Sequence, residues 1–264
     1  MSRRIVAVRV SLIQLEVTLA APLGERVAEV AELVASCAGS DLVVLPELWP
    51  QGAWAYDRWA DGAQALAGPI VAQLRSAARA AGVLLHAGSL VERDGDRLYN
   101  TSVLISADGE VAARYRKIHR FGFTEGEGRF MDAGSDVVTY ALPGGLVLGL
   151  ATCYDLRFPE LFRALTGAGA GMFVVTSSWP AKRLPHWQLF TRARAVENLA
   201  YLVAADACGE HAGVQQAGHS VVVDPWGEVL AEAGSEPTVL HVDLEPERVQ
   251  KIRASFPVLA DRRL

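Results

Sequence analysis

The chain has 264 residues, of which 25 are Lys or Arg and 30 are Asp or Glu, so its formal net charge is −5 at pH 7. This acidic balance without a basic stripe argues against a nucleic-acid partner, and no apolar stretch is long enough to span a membrane. Hydrophobic residues make up 51% of the chain, which lets one domain, residues 1–264, bury a large core. Three cysteines without paired spacing indicate a reducing compartment. We therefore expect a single-domain cytoplasmic protein.

Strand-like and helix-like segments alternate in the first half of the chain. Residues 5–14 alternate as in a strand rather than a leader peptide, and apolar residues at helical spacing mark the first helix. Gly82 closes the second helix, and Asp94-Gly95 is typical of a hairpin turn. The predicted strands cover residues 5–14, 41–48, 83–92, 97–106 and 113–119, and the predicted helices cover residues 23–38 and 65–81.

The second half of the chain has the same alternation. Its predicted strands cover residues 147–153, 172–178, 201–208, 220–224, 229–233 and 239–244, and its predicted helices cover residues 160–165, 187–199 and 245–254. Two strand-rich halves with helices between them predict two sheets packed face to face, with the helices outside.

Cys153 ends one of these apolar strands, and a turn and a helix follow it. A thiol at a strand-to-helix junction lies near the partial positive charge of a helix start, which lowers its pKa. A nucleophile at such a turn is also exposed at the edge of a rigid sheet. Cys153 is therefore a candidate nucleophile. The alternative is a small buried apolar thiol, which is what we expect for Cys37 and Cys208.

A thiol nucleophile needs a base and a group that stabilises the oxyanion. The six histidines are scattered, and no metal-binding spacing or nucleotide-binding loop occurs, so we expect no metal and no other cofactor. Glu47 ends a buried strand, where a carboxylate is costly unless it has a partner or a role. Lys117 lies in a second charged segment. Glu47 or Lys117 alone is typical of a solvated charge. Together with Cys153, Glu47 can supply a carboxylate base and Lys117 a cation that stabilises the oxyanion.

Three motifs resemble the signatures of the nitrilase superfamily of carbon–nitrogen hydrolases, in the same order and at comparable spacing. They are Leu45-Pro46-Glu47-Leu48, Tyr115-Arg116-Lys117-Ile118-His119 and Cys153-Tyr154-Asp155-Leu156-Arg157-Phe158-Pro159-Glu160. Residues 127–134 resemble the family segment that holds a second glutamate, Glu127. Residues 177–180, 193–198 and 224–227 also fit the family pattern, so the resemblance covers nearly the whole chain.

The resemblance implies an α/β fold, a four-layer α-β-β-α sandwich of two mixed sheets. It implies Cys153 as nucleophile, Glu47 as general base, Lys117 as stabiliser of the tetrahedral intermediate, and Glu127 as an auxiliary group that positions the substrate. The backbone N–H of Tyr154 is a further candidate oxyanion donor. The implied partners are a small-molecule amide substrate and water.

The residues after the nucleophile resemble the amidase branches, including omega-amidases and deaminated-glutathione amidases, because true nitrilases tend to carry a glutamate two positions beyond the cysteine. Here Asp155 occupies that position. The chain departs from the family pattern in residues 205–208, where many relatives have an Asn, in residues 217–220, which replace a more usual Gly-Gly-x-Ser, and at Ala133, which replaces Pro. None of these touches the nucleophile, so we expect them to affect substrate choice rather than chemistry.

Two alternative functions remain open. One is a nitrile or N-carbamoyl hydrolase on the same scaffold. The other is a catalytically silent binding or regulatory subunit, which is less favoured because all four catalytic positions hold competent residues. We expect the enzyme to cleave a small linear amide. Release of ammonia from such amides, compared with nitriles and carbamoyl amino acids, separates amide hydrolysis from the nitrile or N-carbamoyl alternative.

The predicted substrate-binding residues are aromatic or cationic: Tyr154, Trp179, Phe121 and Arg183. Trp54, Tyr56 and Phe123 are further candidates to line the pocket. Arg183 and Arg157 are both candidates to meet a substrate carboxylate, although Arg183 can also be a solvated charge. For Arg157 the preferred interpretation is an internal salt bridge.

We also expect at least a homodimer. The resemblance implies pairing through helices near the nucleophile turn and near residues 194–199. The apolar side chains expected to supply that surface are Leu161, Phe162, Leu165, Val196 and Leu199.

Overall fold

The computed structural model describes residues 7–263, whose strands form two six-stranded sheets and one short ribbon. The strands are β1 (Val8–Gln14), β2 (Leu42–Val44), β3 (Leu84–Asp94), β4 (Arg97–Ile105), β5 (Val111–Arg116), β6 (Thr139–Ala141), β7 (Val147–Thr152), β8 (Met172–Ser177), β9 (Tyr201–Asp206), β10 (Glu210–His211), β11 (Val214–Gln215), β12 (Val221–Val223), β13 (Val229–Glu232) and β14 (Thr238–Leu244). The helices are α1 (Leu23–Ser36), α2 (Trp59–Gly62), α3 (Pro69–Ala81), α4 (Glu127–Phe130), α5 (Pro159–Gly167), α6 (Leu184–Asn198) and α7 (Pro246–Ser255).

Both large sheets are mixed. The first has the order β14-β1-β2-β3-β4-β5, and the second has the order β13-β12-β9-β8-β7-β6. In each, three central strands run parallel, β1-β2-β3 and β7-β8-β9, and the outer strands pair antiparallel. The carboxyl ends of the parallel strands therefore share one edge of each sheet, where ligand sites of α/β proteins form.

The layers are held by apolar faces on both sides of each sheet. Side chains of α1 and α3 pack with Val43 and Leu85 on the outer face of the first sheet. Phe162 of α5 and Trp187 of α6 are buried in the cluster that includes the second sheet. Leu12 of β1 belongs to that same cluster, which joins the two sheets. The predicted α-β-β-α sandwich of two mixed sheets is confirmed.

Most predicted elements form, and the differences have local causes. The helix predicted at residues 65–81 is α3, which begins at Pro69 rather than residue 65, because proline is suited to the first helical turn. It ends as predicted at Gly82, whose φ of 67° is left-handed. The strand predicted at 41–48 stops at Val44, and Pro46 in the loop that follows has no N–H to donate to a sheet. Residues 5–6 of the first predicted strand lie outside the described residues.

The structure also contains short elements that the sequence patterns did not predict: α2, α4, β6 and the ribbon of β10 and β11. The prediction that five apolar side chains of this region form a surface for subunit pairing is wrong for four of them. Leu161, Phe162, Leu165 and Leu199 are buried in the core of this chain, and only Val196 is exposed, by 46%. The helical spacing of these residues serves the packing of α5 and α6 onto their own sheet.

Candidate active site

Cys153 lies directly after β7 and begins a single 3-10 turn, Cys153–Arg157. Its φ of 45° is left-handed, a conformation that a non-glycine residue keeps only where its surroundings hold it. A capping box closes the turn, in which the backbone N–H of Thr152 donates to Asp155 Oδ2 over 2.8 Å. The partly exposed thiol is thus held at the carboxyl edge of the second sheet.

Asp155 links the nucleophile turn to the segment that carries Lys117. The Tyr115 hydroxyl donates to Asp155 Oδ2 over 2.6 Å, and the backbone N–H of His119 donates to Oδ1 over 3.1 Å. The Nδ1 atom of His119 lies 2.7 Å from the same Oδ1. Because these partners flank Lys117 in sequence, the buried Asp155 carboxylate fixes the position of Lys117 relative to Cys153.

Glu47 lies in the loop after β2, where the two sheets approach each other. Gly88 has a φ of 66°, and a Cβ atom there would lie 2.0 Å from the Pro46 carbonyl oxygen, so this approach of β3 to the loop requires glycine. The Glu47 N–H donates to the carbonyl oxygen of Ser177, the last residue of β8, over 3.1 Å. Backbone contacts to both sheets therefore position the Glu47 carboxylate.

Lys117 lies between two carboxylates. Its Nζ donates to Glu47 Oε1 and to Glu127 Oε2, each over 2.7 Å, and all three side chains are buried. Asn100 Nδ2 also donates to Glu47 Oε1, over 2.8 Å, and to Glu127. The backbone N–H of Ser178 donates to Glu47 Oε2 over 3.0 Å. These donors stabilise both carboxylates and fix their orientation in a site with little water.

The charges of this cluster depend on one another. Burial by itself would lower the pKa of Lys117, but the carboxylates of Glu127 and Glu47 hold that pKa well above its usual value, so Lys117 is a cation. Burial raises the pKa of Glu127, and Lys117 opposes this. Burial, and then the charge of Glu47, raise the pKa of the Cys153 thiol well above its usual value.

The prediction of a lowered pKa for Cys153 is therefore wrong. The helical turn that follows the thiol is only five residues long, and its dipole is weaker than the effects of burial and of the nearby Glu47 carboxylate. The Cys153 thiol therefore holds its proton more strongly than a free cysteine does. Its proton has to be removed as the sulfur attacks, which requires a base within reach.

A pocket of about 450 Å³, counting the part open to solvent, lies in front of Cys153. Every predicted catalytic and substrate-binding residue lines it: Glu47, Lys117, Glu127, Cys153, Tyr154, Trp179, Phe121 and Arg183. Trp54 and Tyr56 line it as well, whereas Phe123 is 92% exposed and does not. The residues that the sequence singled out thus come together at one place.

Arg157 also lines the pocket, so the preferred interpretation as an internal salt bridge is wrong. Its guanidinium lies 5.1 Å from the ring centroid of Trp179 and contacts His186 Nδ1 at 3.2 Å. Arg183 lies 5.1 Å from the ring centroid of Phe121. Neither guanidinium is paired with a carboxylate of residues 7–263. Burial, and then the charge of Arg183, lower the pKa of Arg157, so two cations that repel each other face the same space.

Sequence reasoning missed two residues of the site, Asn100 and Ser178. The signal for Asn100 was present, because Asn100-Thr101-Ser102 places three polar residues in succession inside a strand that is otherwise apolar. Buried polar side chains need partners, and here the partners are the carboxylates of Glu47 and Glu127. Ser178 acts through its backbone N–H, which side-chain patterns do not reveal.

Among residues 7–263 no helix has the length and apolar character that crossing a membrane requires. In the same part of the chain, His, Cys, Asp and Glu side chains do not gather in a group of three or more that suits a metal ion.

Known proteins share both this sequence and this fold. The profile of the carbon–nitrogen hydrolase family matches residues 9–254. A 2-oxoglutaramate amidase of Paenarthrobacter nicotinovorans is 39% identical over 248 residues, which cover 91% of this chain and 84% of that protein. Omega-amidase NIT2 of Mus musculus is 34% identical over 267 residues, or 97% and 95% of the two chains.

Among solved structures, XC1258 from Xanthomonas campestris, a CN-hydrolase superfamily protein with an arsenic adduct in its active site, is 28% identical. It superposes with a TM-score of 0.90 over 98% of both chains. A family profile over most of the chain, close relatives and the same sandwich agree with the three motifs around the pocket. The chain therefore belongs to the carbon–nitrogen hydrolase family of the nitrilase superfamily, and it is an enzyme that hydrolyses carbon–nitrogen bonds.

Proposed function

We propose that this enzyme hydrolyses the terminal amide of a small, linear, carboxylate-bearing amide to a carboxylic acid and ammonia, through a thioester on Cys153. The observation that carries the proposal is the Lys117 ammonium, held 2.7 Å from each of two buried carboxylates at the pocket that Cys153 lines. A thiol, a base and a fixed cation at one pocket are the groups that amide acyl transfer requires.

In the first half of the reaction, the Cys153 sulfur attacks the amide carbon while Glu47 accepts the thiol proton. The electron pair of the C=O double bond moves onto oxygen, and the Lys117 ammonium and the backbone N–H of Tyr154 stabilise the oxyanion. One such donor contributes about 3 kcal/mol to the transition state. Glu47 then returns the proton to the leaving nitrogen, the C–N bond breaks, and ammonia departs from a thioester.

In the second half, water attacks the thioester carbon and Glu47 accepts a proton from it. Collapse of this second tetrahedral intermediate breaks the C–S bond and releases the carboxylic acid, and Glu47 returns its proton to the departing sulfur, which restores both the thiol and the free base. Glu127 does not take part in proton transfer in this scheme. It holds Lys117 and Asn100 in place, and its Oε2 also accepts the backbone N–H of Phe121, over 2.6 Å, at the pocket wall.

The proposed substrate class is the amide of a 2-oxo dicarboxylic acid. Two similar proteins are called 2-oxoglutaramate amidase and omega-amidase. The unpaired guanidinium groups of Arg157 and Arg183 supply a binding site for the distant carboxylate. The aromatic side chains of Trp54, Tyr56 and Phe121 line the same pocket, which favours a narrow, linear substrate.

A comparison of substrates tests the function directly. Ammonia release from 2-oxoglutaramate should have a higher kcat/KM than release from a neutral amide of equal length, a nitrile or an N-carbamoyl amino acid. Replacing Glu47 by glutamine should lower kcat by about 10³-fold with little change in KM, because the general base is lost. Faster turnover of the nitrile or of the carbamoyl compound would contradict the amidase assignment. If none of the four compounds is hydrolysed, a catalytically silent subunit would be favoured.

Glu92→Gln is a matched control for Glu47→Gln. Glu92 is another buried carboxylate, but it pairs with Arg116 and Thr101 and does not line the pocket. This substitution should lower the unfolding temperature while kcat stays within about threefold of the wild type. An equal loss of kcat in both variants would mean that Glu47→Gln acts through stability.

Arg183 offers a separate test of the carboxylate end. Arg183→Met should raise KM for the carboxylate-bearing amide by about tenfold or more, since a charge-assisted hydrogen bond is lost, and should leave KM for the neutral amide nearly unchanged. Lys182→Met is the control, because Lys182 is the exposed cation next in sequence and does not line the pocket. A similar rise in KM for both amides would exclude a carboxylate contact.

We also propose that the chain works as a homodimer or larger homo-oligomer in the cytoplasm. Leu189 and Val196 support the oligomer, because they lie seven residues apart on one face of α6 and are 62% and 46% exposed. The three unpaired cysteines support the location. Light scattering on the purified protein, compared with 28.3 kDa for one chain, and cell fractionation test the two statements.

A further inference from the structure

Three residues lie side by side across the centre of the second sheet. Ser177 of β8 is the direct partner of Asp206 of β9, and each is the last residue of its strand. The partner pair before them, Thr152 and Thr176, places Cys153 next to Ser177 on the other side. Paired residues of adjacent strands project to the same face, so the side chains of Ser177 and Asp206 lie together. Cys153 follows the end of β7, outside this register, and the Ser177 hydroxyl is near enough to lower the pKa of its thiol.

The polar atoms of this row are incompletely satisfied by the rest of the protein. Asp206 is fully buried; its Oδ1 accepts the backbone N–H of Trp179 over 2.7 Å, and its Oδ2 has no hydrogen-bond partner. The Ser177 hydroxyl is also buried and without a partner at ordinary distance, although it lowers the pKa of both Cys153 and Asp206. Ser177 is the strand neighbour of Asp206, so a hydrogen bond between the two side chains would satisfy both of these buried groups.

The charges around Asp206 decide its protonation state. The titratable groups that interact with it are Glu47 from the loop after β2, Cys153 after β7 and Cys208 beyond β9. None of these is a cation, and Lys117 is already bound by Glu47 and Glu127. Burial, and more weakly the charge of Glu47, raise the pKa of Asp206 well above its usual value. Since Oδ1 accepts a hydrogen bond, the proton belongs on Oδ2.

We propose that Asp206 is a positioning residue for the nucleophile, a neutral carboxylic acid whose Oδ2–H donates to Ser177 Oγ and leaves the Ser177 hydroxyl proton to donate to the Cys153 sulfur. This relay orients the thiol and stabilises the sulfur as negative charge develops on it. The inference rests on the proposed function only in taking Cys153 as the nucleophile.

Alkylation of Cys153 by iodoacetamide, followed against pH by peptide mass analysis, measures the relay without any substrate. Asp206→Asn keeps a donor at the Oδ2 position and should leave the alkylation curve within about threefold of the wild type. Asp206→Leu and Ser177→Ala remove the relay and should shift the curve to higher pH by about one unit, the tenfold effect of one hydrogen bond. The double variant should match the single ones, because both act through one contact.

Two results would overturn the inference. A shift to lower pH in both Asp206 variants would mean that Asp206 is ionised in the wild type and repels the thiolate. An unchanged curve in Asp206→Leu would mean that no relay exists. With amide substrate, kcat should follow the alkylation rates while KM stays unchanged. If the relay is present but none of the amides is hydrolysed, the proposed function fails and the role of Asp206 remains.

The dependence of stability on pH gives a second measurement that does not involve the thiol. An aspartate whose pKa is raised by folding costs stability as pH rises from about 4, its unfolded value, towards its folded value. The unfolding temperature of Asp206→Asn should therefore exceed that of the wild type by an amount that grows between about pH 5 and pH 8. A constant difference over that range would show that Asp206 carries no extra proton when folded.

Discussion

Replacing Cys153 by alanine should lower kcat for ammonia release by about 10⁴-fold or more, because no other group can form the covalent intermediate. The fold should survive, since the substitution removes only one sulfur atom from the pocket wall. Intact mass analysis after brief exposure to substrate should detect an acyl adduct on the wild type and none on Cys153→Ala. Turnover by Cys153→Ala at the wild-type rate would rule out the thioester.

Cys208→Ala is the matched control for this substitution. Cys208 is a fully buried thiol two residues after β9, and burial raises its pKa to about 12. It does not line the pocket. We expect a modest loss of stability from the cavity and kcat within about threefold of the wild type. Equal loss of activity in both variants would assign the effect to packing rather than to chemistry.

Replacing Lys117 by methionine should have two effects, on catalysis and on stability. Loss of the cation that stabilises the oxyanion should lower kcat by about 10²- to 10³-fold. The same change leaves Glu47 and Glu127 buried without their counter-ion, which should cost about 3–5 kcal/mol of unfolding free energy near neutral pH. Denaturant unfolding and steady-state kinetics on one preparation measure both. Full stability at pH 7 would mean that Lys117 does not balance these carboxylates.

The sign of the pH effect makes this prediction more specific. The pKa of Lys117 is raised in the folded enzyme, so its contribution is present below its unfolded value of about 10.4 and is lost as pH rises through the folded pKa. In Lys117→Met the buried Glu127 carboxylate, whose pKa is raised by burial, loses the cation that opposes this rise, so the penalty should fade as pH drops towards about 4, where carboxyl groups of the unfolded chain are protonated. Lys251→Met removes an exposed lysine from a surface pair and should change stability little at any pH.

The roles of the carboxylates explain why the cluster is built from three elements. A base must be able to reach both the thiol and the leaving nitrogen, and Glu47 lies in the loop between the two sheets. The second carboxylate, Glu127, keeps Lys117 charged in this buried site, because its charge and that of Glu47 hold the pKa of the lysine well above its usual value. The Lys117 ammonium donates to both carboxylates, and Asn100 donates to both as well, which fixes their positions around the ammonium.

Local patterns were sufficient for the sandwich and for the candidate nucleophile. Apolar runs of strand length and helical spacing predicted most elements, because period-two and period-3.6 burial are visible in sequence. The short helix α4, which carries Glu127, was not predicted, since four residues show no periodicity. The motif resemblance located Glu127 where periodicity did not. Asn100 was missed because a polar residue inside a strand does not reveal its partner.

The amino-acid sequence by itself determined the alternation of strands and helices, the family, and the positions of Glu47, Lys117 and Cys153. Only the tertiary structure decided their electrostatics. A helix start predicted a lowered thiol pKa, but burial and the Glu47 charge raise it. A lone arginine suggested a salt bridge, but Arg157 faces the pocket. Protonation depends on desolvation and on charges within a few ångströms, and both are set by residues far apart in the chain.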